Sequence, residues 1–293
     1  MELAAQLCGA QVEGASIGST RLTFRPGPLR AGHFRQDIGT AGSLPLLLQA
    51  SLLPALRAPG PVRLELTGGT DVRGGPPMDY VSSVLLPYYR MLGQVQERVE
   101  RRGFFPKGGG RVVVDVHGHG SPPPTADLLE RGAYPQVQAW AVASRDLAER
   151  RVAERLADSA AERLAAHGWQ VLPKHEYSPS QSPSCALVLA ACSTTPTAWP
   201  LWCAADRLGE RGVPAEKVAA GAVEMLLARL EHPSPVEEHL ADNLIPLLGL
   251  AGGAIRCQVV SPHTLANIYV VSTFLGVDIL VEEDRIACPK PRF

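Results

Sequence analysis

The chain predicts a mixed α/β fold in which short strands alternate with amphipathic helices. Three observations carry that expectation. Residues 62–67 and 137–142 alternate apolar and polar side chains with the period of two that a half-buried strand requires. Val81, Val84, Leu85, Tyr88, Met91 and Leu92 recur at the three- and four-residue spacing of a helix face. Glycine and proline clusters such as Gly74-Gly75-Pro76-Pro77 punctuate the periodic stretches. The 293 residues are 45% hydrophobic and 19% charged, enough for a sizeable core in one large domain or two modest ones.

Taken in order, Leu3, Ala4 and Leu7 form the end of a helix closed by Gly9, and residues 12–14 and 20–26 read as strands. Ser43 is an N-cap with Pro45 just inside the helix, and Leu47, Leu48, Leu52 and Ala55 give that helix a buried face. Gly93 is expected to stop the helix of residues 81–92, and a strand runs from Val112 to Val116. Residues 117–124 read as a loop, with His117 and His119 solvated for want of a further metal ligand nearby. A charged amphipathic helix spans 147–166, strands follow at 169–172, 186–191 and 201–204, and Pro214 opens another helix. Residues 147–231 thus form a small α/β domain inserted into a large one made of 1–146 and 232–293. Ser234-Pro235-Val236-Glu237 spells a capping box for a helix that buries Leu240, Leu244, Leu247 and Leu248. A last helix starts at Ser261-Pro262-His263, carries Leu265, Ile268, Ser272 and Leu275, and is ended by Gly276; a hairpin at 277–281 and 285–288 ends the chain.

Composition narrows the function. No run of eighteen apolar residues exists to span a membrane, and no basic, apolar leader opens the chain. Six cysteines without a Cys-x-x-Cys pair read as buried, reduced thiols, which fits a cytoplasmic protein. Net charge is −1, yet residues 1–111 hold 13 Lys and Arg against 8 Asp and Glu, so a local basic face remains open to phosphates.

Four features carry chemistry. Arg102-Gly103-Phe104-Phe105-Pro106-Lys107-Gly108-Gly109-Gly110-Arg111 is a glycine-rich loop rimmed by cations; it suits close approach of a phosphate, and equally a tight turn before a strand. Gln49 lies in the first turns of a helix whose free amides favour an anion. His239, Asp242 and Asn243 share a helix face beside the apolar stripe. His263 stands in the first turn of its helix, where the positive helix end disfavours a charged imidazole and attracts anions, the conditions under which an imidazole attacks phosphorus.

These blocks, with Phe24-Arg25-Pro26-Gly27, Gly39-Thr40-Ala41-Gly42-Ser43, Gly68-Gly69-Thr70-Asp71, Pro76-Pro77-x-Asp79-Tyr80 and His263-x-Leu265-x-Asn267-Ile268, occur in the order found in the RNA 3'-terminal phosphate cyclase family, which the chain resembles along essentially its whole length. The resemblance implies repeated units, each a sheet with two helices on one side, forming a large domain with a smaller α/β insert. It implies ATP-dependent conversion of an RNA 3'-phosphate end to a 2',3'-cyclic phosphate, assisted by a divalent cation, Mg2+ or Mn2+. It assigns His263 as the nucleophile that takes AMP, and Gln49, His239, Leu240, Ala241, Asp242 and Asn243 as ATP contacts. Asn243 departs from the Gln that the family usually carries. The family's glycine-rich opening, with a Glu and an Arg at the ATP site, has no counterpart here, which implies either a misassigned start or a lost first repeat. The rival readings are a non-catalytic relative of the ribosome-assembly kind, which lacks the family histidine, and an inactive remnant.

Overall fold

The computed structural model describes residues 1–194 and 197–290. They divide into two compact units.

The first unit takes in Met1–Met78, Leu92–Ser121 and Ser178–Pro183. Helix α1 (Glu2–Cys8) ends on Gly9, whose φ of 58° is the left-handed cap that glycine adopts without penalty. Strands β1 (Gln11–Glu13) and β2 (Thr23–Arg25) form an antiparallel ribbon. The main sheet has the order β3-β4-β6-β5, from β3 (Gly32–Asp37), β4 (Val62–Gly68), β5 (Gly93–Arg101) and β6 (Gly110–Gly118). Parallel neighbours need a crossover, and α2 (Leu44–Leu56) supplies it between β3 and β4. Period-two burial turns Val62, Leu64 and Leu66 with Val112, Val114 and Val116 inward, where α2 packs on β4 and β6 and α1 packs on β3 and α2. The opposite face is polar, with Glu65 meeting His33, Arg35, Arg63 and Arg111, and Arg63 meeting Asp115 at 3.2 Å. This is one sheet with two helices on one side.

The second unit takes in Asp79–Met91, Pro122–Tyr177 and the chain from Ser184 on. It opens with helical turns α3 (Met78–Tyr80) and α4 (Leu86–Tyr89), joined by a π-turn over Val81–Leu85. Its first sheet has the order β11-β10-β8-β9, from β8 (Val137–Ser144), β9 (Val171–Ser178), β10 (Cys185–Cys192) and β11 (Trp202–Leu208). Helices α5 (Val152–Ala166) and α6 (Ala215–Glu231) cover one face. Ala139, Ala141, Ala157, Ala160, Ala219 and Ala222 dominate the layer between, so helices and sheet approach closely. The sheet takes in β8, which precedes residue 147. Its second sheet has the order β13-β14-β12-β7, from β7 (Ala126–Leu128), β12 (Gly253–Arg256), β13 (Leu280–Glu282) and β14 (Arg285–Cys288). Helix α7 (Glu238–Ala251) packs on β12 and β14, and α8 (Pro262–Leu275) packs on α7.

Several expected elements differ. The helix expected over 147–166 begins at Val152, after a 3-10 turn at Arg145–Leu147 and a left-handed Arg151 with φ 51°. Ser234 does not cap α7. Val236 is drawn into an edge bridge with Cys257, so the helix starts later and Glu237 becomes the cap, while Ser234 Oγ donates to Asp284 at 2.6 Å. Gly93 opens β5 and does not end a helix. On α8 Thr264 and Val271 are buried and Ile268, Ser272 and Leu275 half-buried, whereas Leu265 is 51% exposed. Gly249 lets Val271 approach, because a Cβ there would lie 2.5 Å from Val271 Cγ1.

Candidate active site

Two helix N-termini in the second unit bring the chemistry together. On α7, Glu237 accepts from the backbone N–H of His239 at 2.9 Å and of Leu240 at 3.1 Å, which fixes the first turn. His239 is exposed and Asp242 and Asn243 are half-buried. Leu240 and Ala241 are fully buried, so their side chains belong to the core and not to a ligand face. Asn243 Nδ2 donates to the His239 carbonyl at 2.7 Å, which ties the amide to its own helix. Burial pushes the Asp206 carboxyl up, against the opposing pull of Arg229 and His239.

On α8, Ser261 caps the helix by accepting from Thr264 N at 3.0 Å, with Pro262 at the first helical position. His263 follows with its side chain open to solvent. Asp242 joins the two helices. Its Oδ1 accepts from Ser261 Oγ at 2.9 Å and from Thr264 Oγ1, and its carbonyl accepts from Asn267 Nδ2 at 3.0 Å. The residues on either side of His263 are therefore anchored to one carboxylate. An imidazole in the first turn of a helix is placed to meet a phosphate, because the positive helix end favours an anion.

Gln49 belongs to the first unit. It sits in α2, whose N-cap Ser43 accepts from Leu46 N at 3.3 Å. Its Nε2 is buried and has no hydrogen-bond partner. An amide donor left so costs free energy unless something else supplies an acceptor.

The glycine-rich loop is also in the first unit, and it is built for packing. Gly108 and Gly109 have φ of 66° and 67°. A Cβ on Gly108 would lie 2.6 Å from the Thr40 carbonyl oxygen, and one on Gly103 would lie 2.2 Å from that of Gly68. The glycines thus let this loop seat against the turns at Thr40 and Gly68. Two of its three expected phosphate cations are already paired. Arg102 is buried against Asp71 at 3.5 Å, and Arg111 meets Glu65 at 3.3 Å and Glu100 at 3.1 Å. Lys107 and Arg111 are exposed, while Arg102 is buried. Arg101, unremarked in the sequence, donates from Nε to the Gly109 carbonyl at 2.6 Å. Asp71 and Thr70 complete the junction, with Thr70 Oγ1 donating to Asp71 and accepting from Gly103 N at 2.9 Å.

Sheet-plus-two-helix units and a histidine at a helix mouth define an α/β protein of the repeat-built kind. Comparison with known proteins makes this specific. A family profile described as RNA 3'-terminal phosphate cyclase matches residues 1–281. The RNA 3'-terminal phosphate cyclase of Pyrococcus furiosus is 37% identical over 275 residues, covering 92% of this chain and 77% of the relative. Those of Ralstonia nicotianae and Archaeoglobus fulgidus are 37% and 36% identical over 290 and 292 residues, each covering 98% of this chain and 80% and 84% of the relative. The chain belongs to the RNA 3'-terminal phosphate cyclase family.

Proposed function

We propose that this chain converts an RNA 3'-phosphate end into a 2',3'-cyclic phosphate at the expense of ATP, with His263 as the adenylate acceptor. The single observation that carries the assignment is His263 itself, solvent-open in the first turn of α8 and flanked by Ser261 and Thr264, both held by Asp242. The histidine also argues against the non-catalytic reading.

The steps balance as follows. An imidazole nitrogen of His263 attacks the α-phosphorus of ATP; the bond from that phosphorus to the bridging oxygen breaks, and pyrophosphate leaves. An oxygen of the RNA 3'-phosphate then attacks the same phosphorus, the P–N bond breaks, and the imidazole is restored. The neighbouring 2'-OH loses its proton as it attacks the activated 3'-phosphate, and AMP departs with the bonding electron pair. Adenylylation supplies a leaving group that the bare phosphate lacks. The positive end of α8 stabilises negative charge developing near His263.

Gln49, with its orphaned Nε2, fits a contact to the nucleotide. His239, Asp242 and Asn243 present polar atoms on α7, while Leu240 and Ala241 shape it from within. Among the described residues no group of three His, Cys, Asp or Glu gathers to hold a metal. In this reading the divalent cation, Mg2+ or Mn2+, offsets the charge of the triphosphate. No helix of the described residues is long and apolar enough to cross a membrane, and six unpaired cysteines support a cytoplasmic setting.

Incubation with α-labelled ATP and Mg2+ tests the reading. Acid-labile label on the unaltered protein, absent from His263→Ala, is the expected result. No label on the unaltered protein would overturn it.

A further inference from the structure

One buried carboxylate beside this machinery has no part in the steps above. Glu237 is fully buried, and four donors converge on it. Two are the N–H groups of His239 and Leu240. The Tyr80 hydroxyl donates to Oε1 at 2.5 Å, and the Arg229 guanidinium lies 3.3 Å from Oε2. Short side chains cap helices best, because their oxygens reach the free amides directly. A longer Glu in that position needs something to hold it, and Tyr80 and Arg229 do so. Arg229 is itself fixed by a hydrogen bond to the Ala204 carbonyl.

The chain on either side of Glu237 shows what this clamp controls. Val236 N–H bonds the Arg256 carbonyl at 3.1 Å, and Gln258 N–H bonds the Val236 carbonyl at 2.7 Å. The backbone before α7 is thus stitched to the segment that leads into α8. Five residues after Glu237, Asp242 holds Ser261 and Thr264. The direction in which α7 leaves Glu237 therefore sets where Asp242 sits, and Asp242 sets the first turn of α8.

We propose that Glu237, clamped by Tyr80 and Arg229, is a positioning residue that aims His263 at the α-phosphorus of ATP. The proposal rests on the reading of His263 as the adenylate acceptor. Glu237 touches neither substrate nor the reacting atoms; it acts through Asp242. Misplacement of a reacting group by a fraction of an ångström slows the bond-forming step more than it weakens ligand binding.

Tyr80→Phe removes one oxygen and keeps the ring, and Glu237→Gln keeps the shape and removes the charge. Single-turnover attachment of labelled AMP, measured over a range of ATP concentrations on the full chain with Mg2+, separates aim from affinity. The expected result is a rate constant at saturating ATP about tenfold lower in Tyr80→Phe, and lower still in Glu237→Gln, with the half-saturating ATP concentration within about twofold of the unaltered protein. A residue that only stabilises the fold lowers the melting temperature and the labelled fraction but leaves the rate constant of the molecules that label. That pattern, or an unchanged rate constant, or a change confined to half-saturation, would overturn the proposal. Should Glu237→Gln fail to fold, Tyr80→Phe decides alone. If the unaltered protein takes no label, the reading of His263 fails and this inference falls with it; if it labels and both variants match it, only this inference fails.

Discussion

His263 projects from α8 into solvent, so replacing it removes chemistry and little packing. His263→Ala should leave the urea midpoint within the range of about 0.5 kcal/mol usual for surface substitutions while abolishing the AMP label. Asp242 differs, because its carboxylate meets Ser261 and Thr264 across two helices. Asp242→Ala removes the acceptor shared by the buried Ser261 and Thr264 hydroxyls and leaves them only each other, and we expect about 1–3 kcal/mol of lost stability together with the label, read by urea unfolding and by labelling of the folded protein. The place of His263 was legible, since Ser261-Pro262 announces a helix start and the imidazole must follow in the first turn. The work of Asp242 was not, because its partners lie 19 and 22 residues away and no local pattern marks them. Glu237 was misread for a related reason. The capping-box spacing pointed to Ser234 as the cap, but an edge bridge at Val236 delays the helix and hands the role to the glutamate.

At the scale of the element, the glycine loop makes a sharp prediction. Gly108→Ala meets both a positive φ and a backbone oxygen 2.6 Å from the new carbon. We expect a loss of about 2 kcal/mol or more in urea unfolding. Gly120→Ala is the control, since it shares the positive φ of 75° but has nothing within 4 Å of the added carbon, and it should cost only about 1 kcal/mol. Equal losses would show that the close approach to Thr40 contributes nothing. The polar sheet face gives a second test. Burial opposes charge on Glu65, but Arg35, His33, Arg111 and Arg63 outweigh it and hold its carboxyl below the usual carboxylate range. A depressed carboxyl stabilises the fold above its unfolded pKa and loses that contribution as pH falls through the folded value. The unfolding midpoints of the native protein and Glu65→Gln should therefore differ at pH 7 and converge below the lowered pKa, as acid titration of the two proteins will show. The amphipathic helices and the strands β4, β6 and β8 were legible because burial follows their periodicity. Strands β3, β5, β7 and β12 were missed: β3 exposes four of its six residues, β5 buries only Gly93 and Val95, and β7 and β12 are only three and four residues long. Of the positions read on α8, Ile268, Ser272 and Leu275 share the covered side with Thr264 and Val271 and only Leu265 turns outward; the small Gly249 on α7 lets Val271 and Leu275 approach.

For the whole molecule, the α/β class was legible because glycine and proline punctuation separates the periodic stretches, while the sheet-plus-two-helix unit came from the family resemblance. The pairing of strands distant in sequence was not, as with β7, which lies beside β12 in parallel register although more than a hundred residues separate them. The six cysteines offer a readout of these long-range contacts. Cys8 is buried in the first unit; in the second, Cys185, Cys203, Cys257 and Cys288 are buried and Cys192 is half-buried. Burial pushes the Cys185 thiol up to about 11 and the Cys203 and Cys257 thiols to about 12, and raises Cys192 and Cys288 as well. Only the thiolate attacks a disulfide reagent, and at pH 8 a thiol titrating near 12 is ionised in roughly one molecule in ten thousand. Reaction of the core thiols therefore waits for the fold to open, at a rate set by the free energy of that opening. With a chromogenic disulfide at pH 8 the native protein should show slow release with Cys192 leading, and all six thiols should react promptly in denaturant. The Cys8 rate reports opening of the first unit, and the Cys203 and Cys257 rates that of the second, which mass mapping of the labelled peptides resolves. If Cys203 or Cys257 reacts natively at the rate of a free thiol, the alanine-rich layer and the α7 sheet are not packed as described.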